Sequence, residues 1–172
     1  METHRATLGP GSFSKPVASM NVIFGIEDPR TDDVRKLLQT HLDFCHAVTP
    51  AEHSFALDVE KLREPGILVF GARSNGTLLA VGALKDLGDC EAELKSMHTS
   101  QGARGQGIGR AMVAHIVSTA KTAGFIRVNL ETGSHAPYEP ARKLYENFGF
   151  QPCAPFGDYV ASDFNTFMSI EL

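Results

Sequence analysis

Two hydrophobic periods take turns along this chain, and their order predicts its architecture. The segment MNVIFGIED, from Met20, reads as a first strand. Val34, Leu37, Leu38, His41, Leu42 and Cys45 then fall at i, i+3, i+4, i+7, i+8 and i+11, the inward stripe of an amphipathic helix. Asp32 and Asp33 sit in its first turn, where the helix dipole favours carboxylates. Thr49-Pro50-Ala51-Glu52 has capping-box spacing with proline at the first helical position, which predicts a second helix with Phe55, Val59 and Leu62 facing inward. ILVFGAR and TLLAVGAL are strands joined by Asn75-Gly76, a pair that favours a tight hairpin. The second is apolar on both faces, so it is expected as a covered central strand.

EAELKSMHT follows as a fourth strand and runs into the glycine-rich stretch TSQGARGQGIGRAM. Ile108, Met112, Val113, Ile116, Val117 and Ala120 build a helix that ends at Gly124, and FIRVNLE alternates as another strand. Tyr138, Ala141, Leu144, Tyr145 and Phe148 form the inner face of a further helix closed by Gly149, and NTFMSIEL is a final strand. The expected order is β-α-α-β-β-β-α-β-α-β-β: one α/β domain over residues 21–172, antiparallel hairpins first and then a crossover, around a single mixed, mostly antiparallel sheet flanked by helices. Residues 1–20, rich in Gly, Pro, Ser and Thr and lacking either period, read as an N-terminal tail.

Composition narrows the function. A chain of 172 residues, 42% hydrophobic, supports one sizeable core and leaves little room for two. The net charge of −4 gives no chain-wide basic field, so a nucleic-acid partner is not expected. Cys45, Cys90 and Cys153 are scattered, without Cys-x-x-Cys spacing, which argues against a disulfide framework or structural zinc and points to the cytoplasm. His41, His46 and His53 lack the spacing of a metal site. No apolar run reaches membrane-spanning length, so no membrane partner is expected either.

The candidate chemistry lies in the glycine loop. Glycines let main-chain N–H groups approach an anion, and the helix that follows adds partial positive charge. Three phosphate-binding designs share this logic. Gly102 and Gly107 have the interval of a Walker loop, but Ile108 and Gly109 stand where Lys and Ser/Thr are required. A dinucleotide fingerprint begun at Gly105 would need its third glycine at Arg110. Arg104-Gly105-Gln106-Gly107-Ile108-Gly109 does fit Gln/Arg-x-x-Gly-x-Gly/Ala, and ARKLYENFGF follows about 35 residues later.

On these two segments the chain resembles the GNAT family of acetyl-CoA-dependent N-acetyltransferases, and ELKSM, LETGS and EPARKLYE are similar to stretches of small bacterial single-domain members. The resemblance implies acetyl-CoA as cosubstrate, no metal, and a homodimer as a common assembly. It implies that the amides of Arg104, Gly105, Gln106, Gly107, Ile108, Gly109 and Arg110 cradle the pyrophosphate, while Met97, His98 and Thr99 pair with the pantetheine arm. Tyr138 stands in a pantetheine-facing position where many relatives carry asparagine, a departure from their pattern.

The chemistry implied is acetyl transfer to an amine of a small molecule or a protein. An alkylammonium has a pKa near ~10, so a carboxylate must take its proton, directly or through water. By resemblance to the histone-acetylating branch, Glu93 is the leading base, with Glu91, His98 and Glu131 as substitutes. Tyr145 matches the tyrosine that returns a proton to the departing thiolate. A non-catalytic acyl-CoA-binding module is the alternative, and a nucleotide-binding protein is disfavoured by the missing Walker residues.

Overall fold

The computed structural model describes residues 20–172, so the expected tail lies almost wholly outside the described residues. Seven strands form one sheet in the order β1-β2-β3-β4-β5-β7-β6. In chain order, β1 is Ile23–Ile26, β2 Ile67–Ser74, β3 Thr77–Gly88, β4 Glu91–Thr99, β5 Arg127–Gly133, β6 Gln151–Pro152 and β7 Asn165–Glu171. The helices are α1, Asp32–Val48, α2, Ile108–Thr122, and α3, Glu139–Phe148. Among the described strands only the β4–β5 pair is parallel, as the crossover through α2 requires.

The predicted hairpin forms at Asn75-Gly76, both with positive φ, and joins β2 to β3. β3 is the covered strand its sequence predicts. Ala80 and Leu84 pack toward α2 with Met112 and Ile116, whereas Leu78, Val81 and Ala83 pack toward α1 with Val34 and Leu38. A layer of helix therefore covers each face of the sheet.

Residues 49–66 depart from expectation. The second helix is absent, replaced by two 3-10 turns at Ala51–His53 and Lys61–Arg63. The Thr49 hydroxyl that was to cap it lies 2.9 Å from the Tyr138 hydroxyl instead, and the Phe55 ring meets Tyr159 edge-on at 5.0 Å. Long-range partners thus outcompete a local capping preference, and the segment is left extended at Ser54. A smaller difference concerns Tyr138, which precedes α3 in a 3-10 turn at Ala136–Tyr138 rather than sitting inside the helix.

Candidate active site

The site begins with a parting of two strands. β4 pairs with β5 only from Glu91 to Glu93, opposite Arg127 to Asn129. Beyond that point the strands separate, although on its other edge β4 stays paired to β3 as far as Thr99. That far edge has a bulge. Val81 faces His98 and Ala83 faces Lys95, so β4 carries an extra residue there, and Ser96 adopts φ +53. Gly82 accommodates the bend, because a Cβ at this position would lie 2.6 Å from the Met97 sulfur and 2.8 Å from Ile116 Cδ1.

The opening holds a cavity of about 570 Å³. β4 supplies Leu94 to Thr99 as one wall, and β5 supplies Glu131, Thr132 and Gly133. The glycine loop closes one end. Gly107 takes φ +79 as the residue preceding α2, and Gly105 takes φ +72. The first amides of α2 point from the helix end without intrahelical acceptors. Gly109 allows close packing there, since a Cβ would come within 3.3 Å of Thr99 Oγ1 and 3.4 Å of Leu144 Cδ2. Arg104 and Arg110 flank this end of the cavity, Arg104 donating to the Thr99 carbonyl at 3.3 Å and Arg110 to the Asn147 carbonyl at 3.1 Å.

Of the residues singled out from sequence, Met97, His98, Thr99, Arg104, Gly105, Gly107, Ile108, Gly109, Arg110, Tyr138 and Tyr145 all border this one cavity. Gln106 does not; its side chain folds back onto the Gly102 carbonyl at 2.9 Å. Glu93 does not either. Its carboxylate, 2% exposed as a residue, accepts from Lys95 Nζ at 2.8 Å and from the Tyr159 hydroxyl at 2.5 Å. It borders a separate depression with Lys85, Asp86 and Asp158.

Glu131 does reach the cavity. Burial pushes its carboxyl up to about 7; the Lys95 ammonium opposes that rise and the Glu93 carboxylate reinforces it. Tyr145 is enclosed by the core that holds α3 against the sheet, meeting Phe150 edge-on at 5.8 Å. Burial alone raises its phenol above the ordinary value, so the hydroxyl keeps its proton at neutral pH. Tyr138 lies across the other end, its ring on Gly133, where any side chain would collide with it.

The rest of the lining comes from outside the glycine loop and the ARKLYENFGF segment. Phe44, His53, Phe55 and Phe164 bring rings from α1, the 49–66 segment and the β6–β7 loop. Their role had only a compositional signal, because the positions meet through tertiary packing. His41 Nδ1, Ser54 Oγ and Ser96 Oγ are shut off from solvent without hydrogen-bond partners, and all three residues border the cavity. An unpaired buried polar group costs about 1–3 kcal/mol. Burial, helped by His98 and Lys95, lowers His41 to about 4, which keeps its ring neutral.

A glycine loop opening a helix beside two splayed strands has a counterpart in known proteins. The profile of the Acetyltransferase (GNAT) family matches residues 32–150. The chain belongs to this family. It is an acyltransferase, and its mixed sheet with flanking helices is the family's fold. The uncharacterized N-acetyltransferase YsnE of Bacillus subtilis is 42% identical over 147 residues, 86% of this chain and 97% of that protein. The uncharacterized N-acetyltransferase YedL of Escherichia coli is 35% identical over 148 residues, 83% of this chain and 93% of its own length. Among solved structures, a Bacillus subtilis acetyltransferase in complex with CoA superposes with a TM-score of 0.68 at 16% identity, covering 88% of this chain and 99% of that one. PaiA N-acetyltransferase of Thermoplasma acidophilum in complex with coenzyme A also gives 0.68, at 15% identity, over 89% of this chain and all of its own. Among the described residues no group of three or more His, Cys, Asp or Glu side chains is arranged to hold a metal, and no helix is long and apolar enough to cross a membrane.

Proposed function

We propose that the protein moves acetyl from acetyl-CoA directly to the amine of a small molecule, with both substrates bound at once. The observation that carries this reading is the cavity between β4 and β5, with the glycine loop at one end and Glu131 and Tyr145 on its walls. The edge of β4 that leaves β5 offers free main-chain groups at Met97 to Thr99 for an extended amide-bearing arm. The loop amides and the α2 N-terminus receive the pyrophosphate, with the Arg104 and Arg110 guanidinium groups beside it. Two relatives of known fold are complexes with CoA, which supports the same donor here.

The amine attacks the thioester carbonyl and a C–N bond forms. Negative charge grows on the carbonyl oxygen, next to the amides of the β4 bulge. As the C–S bond breaks, the thiolate takes the Tyr145 proton, and an amine proton passes to Glu131. Proton exchange with solvent restores both groups. Glu131 is favoured over Glu93 because its carboxylate borders the cavity and burial sets it near neutrality, the range that suits a general base. Glu93, tied to Lys95 and Tyr159, positions the strand and sets the charge around Glu131.

Thiol release from acetyl-CoA across an amine panel tests the activity. Absence of both CoA binding and thiol release would overturn it. The direct route has its own test, because Cys45 borders the cavity as a free thiol. Burial raises its pKa, leaving it a poor nucleophile. Enzyme mixed with acetyl-CoA alone is therefore expected to show no stoichiometric acetyl adduct by mass spectrometry, and Cys45→Ala is expected to retain turnover.

A further inference from the structure

Charged residues line one face of the sheet where β4 and β5 meet. In their parallel register Glu93 lies opposite Asn129, so Glu91, Glu93 and Lys95 share a face with Arg127, Asn129 and Glu131, while Ala92, Leu94, Val128 and Leu130 turn to the core. The first rungs of this ladder are paired. Arg127 Nη1 donates to one Glu91 oxygen at 3.1 Å, and Asn129 Nδ2 to the other at 2.8 Å. Continued by two residues, the same register would set Lys95 opposite Glu131. The strands part first, and among the described residues Glu131 enters no ion pair.

Lys95 turns back along its own strand instead. Its ammonium donates to Glu93 Oε1 at 2.8 Å and to the Tyr159 hydroxyl at 2.6 Å, and that hydroxyl donates to the same Glu93 oxygen at 2.5 Å. The triangle is closed and buried, with the Lys95 and Glu93 side chains 9% and 3% exposed. Tyr159 reaches it from the β6–β7 loop, its ring met edge-on by Phe55 at 5.0 Å and by Phe156 at 5.1 Å. Packing thus fixes the ring before its hydroxyl engages the ammonium, and little freedom remains to be lost.

Of the titratable groups around Glu131, Lys95 is the one ammonium. Cys45 faces it from α1 and Tyr138 from the turn before α3, both raised by burial and therefore uncharged at neutral pH. Burial lowers His41 and His98, which favours their neutral rings, and His53 stacks on Phe164. Arg104 and Arg110 belong to the glycine-loop end. The place of the Lys95 ammonium therefore decides how readily Glu131 gives up a proton, because a cation within ~4–6 Å favours the charged carboxylate.

Building on the reading of Glu131 as the base, we infer that Tyr159 and Glu93 form a tether that keeps the Lys95 ammonium out of an ion pair with Glu131, so that the Glu131 carboxyl stays free to exchange a proton with the acceptor amine. Tyr159 is then a positioning residue, acting through Lys95 without touching substrate.

The test follows Glu131 directly. The full chain, isotopically labelled at its glutamate side-chain carboxyls, is titrated by NMR, the Glu131 signal being the one missing from Glu131→Gln, and the pH dependence of kcat is measured in parallel. Tyr159→Phe keeps the ring between Phe55 and Phe156 and removes only the hydroxyl. It is expected to lower the Glu131 midpoint by about one pH unit, as Lys95 swings across the gap. Glu93→Gln is expected to lower it further, since a repelling carboxylate is lost together with the tether. Lys95→Met is expected to raise it by about one pH unit, and in that background Tyr159→Phe is expected to lose its effect. The ascending limb of kcat is expected to move with the midpoint each time. A midpoint that stays or rises in Tyr159→Phe overturns the inference, as does a fall of the same size once Lys95 is replaced; if Glu93→Gln does not fold, Tyr159→Phe decides alone. The reading beneath it fails differently. Midpoints that move as stated under an unmoved kcat profile remove Glu131 from catalysis and leave the tether standing, and absence of thiol release with every amine strikes at the acetyltransferase reading while the NMR titration still reports on the tether.

Discussion

At the scale of single residues, the ionisation of Glu131 ties the proposed catalysis to stability. Its carboxyl is raised to about 7 in the folded state from an ordinary 4.5. Between those values the unfolded chain has lost its proton and the folded chain has kept it, so stability falls as pH rises through this window. Above pH 7 the cost levels off, on the order of 3 kcal/mol. Glu131→Gln is therefore expected to raise Tm at pH 8 while leaving it nearly unchanged at pH 4. The same substitution is expected to lower kcat by ~10²–10⁴-fold and remove the rise of kcat with pH near 7. A mutant profile that still rises through 7, with Glu93→Gln flattening it instead, would return the base to Glu93. Tyr145→Phe keeps the ring against Phe150 and removes only the hydroxyl, so kcat is expected to fall ~10²-fold with little change in Tm. Both residues stand in recognisable sequence segments. Choosing among carboxylates took structure, because Glu93 and Glu131 carry the same chemistry and differ in their neighbours.

At the scale of elements, the glycine loop and the strand before it are separable devices. Gly107 turns the chain into α2 with a positive φ, and no other atom would crowd a Cβ there. Gly107→Ala thus isolates the backbone cost, about 1–2 kcal/mol of stability. Gly107→Glu adds negative charge beside the proposed pyrophosphate site and is expected to weaken CoA binding by at least ~100-fold in a calorimetric titration. A Glu variant no weaker than the Ala variant would move the pyrophosphate elsewhere. The elements themselves were legible where period and punctuation agree, as in the Asn75-Gly76 hairpin or α2 from Ile108 to the turn at Gly124. The helix expected after Thr49 has a proper capping box, but Tyr138, distant in sequence, engages the hydroxyl that would start it.

Across the described molecule, the sheet parts at its centre while the strands on either side of the gap stay paired. β5 pairs along its full length with β7, and β4 along most of its length with β3, yet the two touch only through Glu91–Glu93 and Arg127–Asn129. A donor bound in the gap would bridge the two halves of the sheet. CoA at a hundredfold excess over its Kd is accordingly expected to stabilise the fold by about 2.7 kcal/mol, a rise in Tm of ~5–10 °C by scanning fluorimetry. No shift at that excess would mean that CoA does not bind the folded chain.

The sequence by itself determined the elements whose signals are local: the apolar runs of β2 and β3 with their Asn75-Gly76 turn, the alternation of β4 and β5, the stripe of α1, the glycine-led start of α2, and the family that the loop and the ARKLYENFGF segment resemble. These rest on side-chain period and backbone freedom, which neighbouring residues set. Tertiary structure decided what depends on distant partners. The parting of β4 from β5, the withdrawal of Glu93 into a bond with Tyr159, the elevation of Glu131 and the aromatic lining of the cavity all join residues far apart in the chain. Burial and electrostatic environment arise only when those segments meet, and no local pattern encodes them.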